Sequence, residues 1–192
     1  MKISIIHEFK EAEKWLDGIR LKQLPYATML ALNETKDRCK DAVMTQMLRK
    51  LDRPTPFTMN AFDNRAALRA TKRKLTSILQ VKPIQAKYLY GQFYGGTETD
   101  KHIVPGKDMK LNQYGNLSRR ASKAKRTFTI GNVVLKRKGK GKNSSLTVVG
   151  LFPRARTYRP RIDFERTVET TFDRWFGRNW EKMFDRAMAT AR

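Results

Sequence analysis

Between Met109 and Ile162 the chain carries 15 lysines and arginines and not one aspartate or glutamate. A 54-residue stretch of one sign cannot neutralise itself by internal ion pairs. Its charge must therefore face solvent or a polyanion rather than a core. The imbalance is local. Residues 1–108 hold 20 basic and 12 acidic side chains and residues 163–192 hold six of each, so about two-thirds of the formal +23 lies in this window. Two denser clusters stand inside it. One is Arg119, Arg120, Lys123, Lys125 and Arg126; the other is Lys136, Arg137, Lys138, Lys140 and Lys142, with Gly139 and Gly141 interleaved. These ten cations are the candidate nucleic-acid-facing residues. Only Phe128 lies nearby to stack on a base, so contact with backbone phosphate, without sequence reading, fits better than single-strand stacking. The plainer alternative is a set of solvated loops that keep the chain soluble.

At 192 residues with 40% hydrophobic side chains, the chain can bury one ordinary core, and a single α+β domain over 1–192 is expected. No run approaches the roughly 20 apolar residues of a membrane helix. Met1 to Glu8 lacks the apolar run and cleavage site of a secretory leader, so none is expected. Cys39 is the only cysteine, and with two histidines it leaves little for a disulfide or a metal cage. No metal and no cofactor is expected.

Ile3, Ile5 and Ile6 suggest a short opening strand, and Glu8 to Gly18 a brief helix stopped by Gly18. Pro25 suits the first turn of a helix. From there Met29, Leu32, Cys39, Val43 and Met47 recur at spacings of three, four and seven, while Asn33, Glu34, Lys36, Asp37, Lys40 and Asp41 fall mostly on other faces. This predicts a long amphipathic helix over 25–50, closed before Pro54. Arg53 to Phe57 reads as an extended connector. Leu75 to Val81 suits a strand, with Pro83 to Tyr90 either a short helix or its continuation. Gly95-Gly96-Thr97 marks a sharp turn, and 95–126 reads as irregular. Thr127 to Leu135 reads as a strand kinked at Gly131, Ser145 to Phe152 as its partner, and 136–144 as the basic hairpin tip between them. A last helix from Phe164 to Ala191 carries the stripe Val168, Phe172, Trp175, Phe176, Trp180, Met183, Phe184 and Met188, which Gly177 would kink. The expectation is long helices packed on a small antiparallel sheet, with a basic protruding hairpin.

Neither a glycine-rich phosphate loop nor a Gly-x-Ser-x-Gly elbow is present. Cys39 falls on the apolar helix face, as a buried thiol does. His7 and His102 read as surface residues. A metal-dependent nuclease would need clustered acids, and these would have to fold back on the basic window from elsewhere, as Asp63, Asp100 and Asp108 could. A non-enzyme is expected. In the last helix Trp175, Phe176, Trp180 and Phe184 either pack as core or dock a neighbouring subunit.

Several segments resemble virion proteins of tailed phages and prophages. They are Arg53-Pro54-Thr55-Pro56-Phe57-Thr58-Met59-Asn60-Ala61-Phe62, Ala86-Lys87-Tyr88-Leu89, Gly95-Gly96-Thr97 and Leu111-Asn112-Gln113-Tyr114-Gly115-Asn116-Leu117-Ser118-Arg119. The order of elements is similar to minor tail protein Z and related tail-completion proteins, with Arg159-Pro160-Arg161-Ile162-Asp163 at the entry to the last helix. Two features depart from that family, the aromatic load of the last helix and the acids of Glu98 to Asp108. The resemblance implies a structural virion component of the neck, assembled in the host cytoplasm as a homo-oligomeric ring, usually sixfold, at the head–tail junction. Its implied partners are the tail tube, the head connector and the genomic DNA in the channel, with no membrane. The four aromatics of the last helix would then be subunit-interface candidates. The alternative is a free, sequence-independent nucleic-acid-binding protein, either a DNA-packaging accessory or an RNA binder.

Overall fold

Pro25 does not begin a helix. In the computed structural model, which describes residues 14–99, 102–107, 109–117, 127–139 and 144–190, the chain is already helical at Lys14. It passes through one π turn, Ile19–Gln23, into α1, Leu24–Lys50. Proline lacks the N–H that would bond back four residues, and the π turn, closed by the Leu24 N–H on the Ile19 carbonyl, widens the helix just before it. Gly18, the expected stop, has helical φ −59 and ψ −45 and stops nothing. The further elements in chain order are α2 (Pro56–Met59), α3 (Pro83–Tyr94), β1 (Gly96–Glu98), β2 (Val104–Pro105), β3 (Thr127–Ile130), β4 (Val133–Lys138), β5 (Ser145–Leu151), β6 (Arg156–Tyr158) and α4 (Phe164–Ala189). The architecture is α+β, as expected, with antiparallel sheets of order β1-β6 and β2-β5-β4-β3. The proposed opening strand at Ile3 lies outside the described residues.

The chain divides into two compact units, one drawn from Met1–Gln46, Asn60–Gln85 and Asp163–Arg192, the other from Met47–Met59 and Ala86–Ile162. In the first, α1 and α4 run antiparallel. Trp180 Nε1 donates to Thr28 Oγ1 at 3.1 Å, Asn179 Nδ2 to Thr35 Oγ1 at 2.9 Å and Gln46 Nε2 to Thr167 Oγ1 at 2.7 Å, so residue numbers rise on one helix as they fall on the other. Ala27, Ala31, Met183 and Ala187 form a buried cluster, covered by Tyr26, Leu30, Phe176, Trp180 and Phe184. Small side chains at i and i+4 let the helices approach closely, and the aromatics fill the flanks. Asp163 caps α4 by accepting from the Arg166 N–H at 3.2 Å, and Glu165 complements the positive end of the helix dipole. The helix runs unbroken through Gly177.

The apolar stripe of α1 holds at Cys39, Val43 and Met47, but Ala27 and Ala31 rather than Met29 and Leu32 are the buried positions before it. Asn33 and Lys36, expected on other faces, are buried too. Asn33 works as a piece of backbone. Its amide donates to the Ala70 carbonyl at 3.0 Å and accepts from the Ala70 N–H at 2.9 Å and from Ser77 Oγ at 3.2 Å, which pins the 66–78 segment to α1. That segment opens with a single 3-10 turn, Ala66–Leu68, and, contrary to expectation, Leu75 to Val81 forms no strand; Val81 makes one isolated bridge to Phe62. Phe62 in turn stacks on Phe164, ring centroids 6.4 Å apart.

In the second unit the expected connector shortens, because Pro56 opens α2 and Thr55 Oγ1 accepts from the Thr58 N–H at 3.1 Å as its cap. Helix α3 settles the alternative at Pro83 in favour of a helix, which the chain leaves through a turn at Gly95 and Gly96, both at positive φ. Two short strands, β1 and β2, form inside the stretch expected to be irregular. Gly131 is no kink. With φ +57 it begins a two-residue hairpin loop, Gly131-Asn132, so the single strand expected over 127–135 is two, β3 and β4, paired Ile130 to Val133. Val134 and Val149 are the buried anchors of this four-stranded sheet.

Candidate nucleic-acid interface

Strand β4 carries the described part of the second basic cluster. The expected hairpin tip at 136–144 begins later than the sequence suggests, because Lys136, Arg137 and Lys138 pair in the ladder with Thr147, Leu146 and Ser145 of β5. They are strand residues, and strand alternation decides where their charges go. Lys136 and Lys138 share a face with Val134, while Arg137 shares the opposite face with Val133 and Leu135. Arg137 places its guanidinium 5.9 Å from the Phe128 ring centroid, within reach of a cation–π contact. Lys140 and Lys142, and the whole first cluster Arg119, Arg120, Lys123, Lys125 and Arg126, lie outside the described residues.

The ladder has one irregularity. Val134 opposes Gly150 and Leu135 opposes Val148, so Val149 is an extra residue on β5, a bulge that turns its side chain inward beside Val134. The face carrying Arg137 is open. Ile130 (62% exposed), Leu146 (53%), Val148 and Leu151 register there with Val133, Leu135 and Arg137. The row is apolar and exposed, with Arg137 at its end. Sequence reasoning missed it because the bulge shifts which residues of β5 face outward, and alternation alone does not reveal a bulge.

The aromatics of the last helix divide. Phe176, Trp180 and Phe184 pack against the α1–α4 cluster, Trp180 stacked on Phe184 with centroids 5.2 Å apart. Phe176 also stacks on exposed Phe172 at 4.8 Å. Trp175 sits apart, with the guanidinium of Arg38 at 4.2 Å and those of Arg174 and Arg178 at 5.6 and 5.7 Å from its ring. Periodicity put all four on one stripe, and only Trp175 is ringed by cations.

Elsewhere, Cys39 is buried, with Sγ 3.6 Å from the Val168 carbonyl, and burial raises its thiol above the usual range. Asp63, considered above as a metal ligand, is committed. It accepts from Arg65 Nη2 at 2.6 Å and Nε at 2.7 Å, from the Arg65 N–H and from Gln80 Nε2, and these bonds hold its carboxyl at about 2. Asp100 and Asp108 lie outside the described residues. His102 is not isolated: its Nε2 is 3.4 Å from Glu98 Oε1. Among the described residues no group of three metal-ligating side chains comes together.

Set against models of known families, curated proteins and solved structures, the chain matches none of them.

Proposed function

We propose that this protein is a structural, non-enzymatic component of a tailed-phage particle, a tail-completion or neck subunit that forms a ring at the head–tail junction. Its 109–162 face lies toward the DNA. The observation that carries the reading is the acid-free window itself: 15 cations in 54 residues, of which Lys136, Arg137 and Lys138 extend along one strand. Cations in a lumen that DNA traverses attract phosphate without reading bases. The open apolar face of the sheet supports the assembly half of the reading, since a ring subunit must offer apolar surface to a neighbour.

The competing reading, a free sequence-independent nucleic-acid binder, draws on the same charge but requires no assembly. Peptide mass spectrometry on separated tails, DNA-filled heads and whole particles of the encoding phage decides between them. Stoichiometric recovery with tails and whole particles supports the neck role. Absence from purified particles sinks it, and steeply salt-dependent DNA affinity of a monomer would then favour the free binder.

A further inference from the structure

The second unit contains a cavity of about 500 Å³ that the DNA-facing strand does not line. We propose that this cavity is a nucleotide site, with a phosphate held by Arg156 and Arg161 and the attached nucleoside lying against a tyrosine wall. The inference does not rest on the particle role above.

The volume falls within the roughly 300–1,000 Å³ of small-molecule pockets and is more than a bare phosphate needs. Its walls are built rather than left over. Tyr88 donates to Thr58 Oγ1 at 3.2 Å, which ties α3 to the capped start of α2. Tyr158 lies on α3 over Gly91, where an added Cβ would stand 3.0 Å from its Cδ2. Glycine is unfavourable inside a helix, and here it makes room for the ring. Tyr114 is set by Asn112, whose Oδ1 accepts from the Tyr114 and Asn116 N–H groups at 3.0 and 2.9 Å. All three tyrosines line the cavity.

The charges on the lining are unequal in their commitments. Arg53 is held by both carboxylate oxygens of Asp52 at 3.1 Å. Glu98 is met by His102 at 3.4 Å. Arg156, opposite Glu98 in the β1–β6 ladder, and Arg161 have no ion pair among the described residues. Two guanidinium forks without an ion pair among the described residues, both on the lining of one cavity, match a phosphate, whose oxygens accept in pairs. Gln92, also on the lining, seats the Arg161 backbone against α3, its backbone carbonyl accepting from the Arg161 N–H at 2.9 Å.

Calorimetric titration of the full chain with the four deoxynucleoside 5′-monophosphates, deoxyadenosine, inorganic phosphate, and a short oligonucleotide with and without a 5′-phosphate tests this. A monophosphate is expected to bind saturably and more tightly than either nucleoside or phosphate alone. Arg156→Ala and Arg161→Ala should each weaken it about tenfold or more, with Arg156→Lys in between because it keeps charge and loses the fork. A 5′-phosphorylated strand binding more tightly than the monophosphate identifies the end of a nucleic-acid chain as the source; equal or weaker binding identifies a free nucleotide. The variant Lys136→Ala/Arg137→Ala/Lys138→Ala should leave monophosphate binding unchanged, which separates this site from the strand surface. No saturable binding of any monophosphate, binding indifferent to folded Arg156→Lys and Arg161→Ala variants, or phosphate binding as tightly as nucleotide would overturn the proposal.

Discussion

Asn179 and Thr35 meet inside the α1–α4 pair, the Asn179 amide donating to Thr35 Oγ1 across 2.9 Å with both residues buried. Together with the bonds from Trp180 to Thr28 and from Gln46 to Thr167, this bond fixes the sliding register of the two helices. Asn179→Ala should lower unfolding stability by about 1–3 kcal/mol, because Thr35 is left buried with one partner fewer. Thr35→Val combined with Asn179→Leu should recover part of that loss. Chemical denaturation of Asn179→Leu, Thr35→Val and the double variant closes the cycle, and strict additivity would show that the bond contributes nothing.

Asp63 links stability to acid. Its folded carboxyl is held at about 2 by Arg65 and Gln80, against roughly 3.9 in an unfolded chain. The carboxylate therefore contributes stability in full above the unfolded value, and loses it as pH falls from about 4 toward 2. Urea midpoints of the wild type and Asp63→Asn should differ most at pH 5 and converge near pH 2. A constant gap between them would mean that the carboxylate's charge is irrelevant.

Lys36 is a buried cation, its Nζ 3.3 Å from Asp37 Oδ1. Asp37 has a second cation in Arg69, also at 3.3 Å, so removing Lys36 does not orphan it. Lys36→Met should leave stability equal or raise it by up to about 2 kcal/mol. Asp37→Ala should lower it, since it strips the partner from a buried ammonium. Thermal melts of both variants check the opposite signs.

For DNA, neutralising Lys136, Arg137 and Lys138 together should preserve the fold, since Val134 and Val149 anchor the sheet from within. The slope of log affinity against log salt should fall by about 0.9 for each phosphate that the variant no longer neutralises. An unchanged slope would overturn the DNA-facing role proposed for these three residues.

The sequence by itself determined the elements that depend on local repetition. Spacings of four among Cys39, Val43 and Met47, and of three and four along Val168 to Met188, specify long helices because a 3.6-residue period brings those side chains to one face whatever they pack against. The acid-free window is likewise a property of composition and needs no fold to be seen. Other features depended on partners distant in the chain. Thr127 to Leu135 became a hairpin because Gly131 adopts a positive φ that the ladder rewards, and Leu75 to Val81 failed as a strand because only Val81 finds a partner, in Phe62. Asn33 looks like a solvent-facing helix residue until Ala70 is placed beside it. Arg156 and Arg161 are two arginines among fifteen cations until β6 and the segment after it bring them to the lining of a cavity with Tyr88, Tyr114 and Tyr158. Periodicity is a local sum and can be read along the chain, whereas pairing and burial are set between residues far apart in sequence, and only the tertiary structure brings those together.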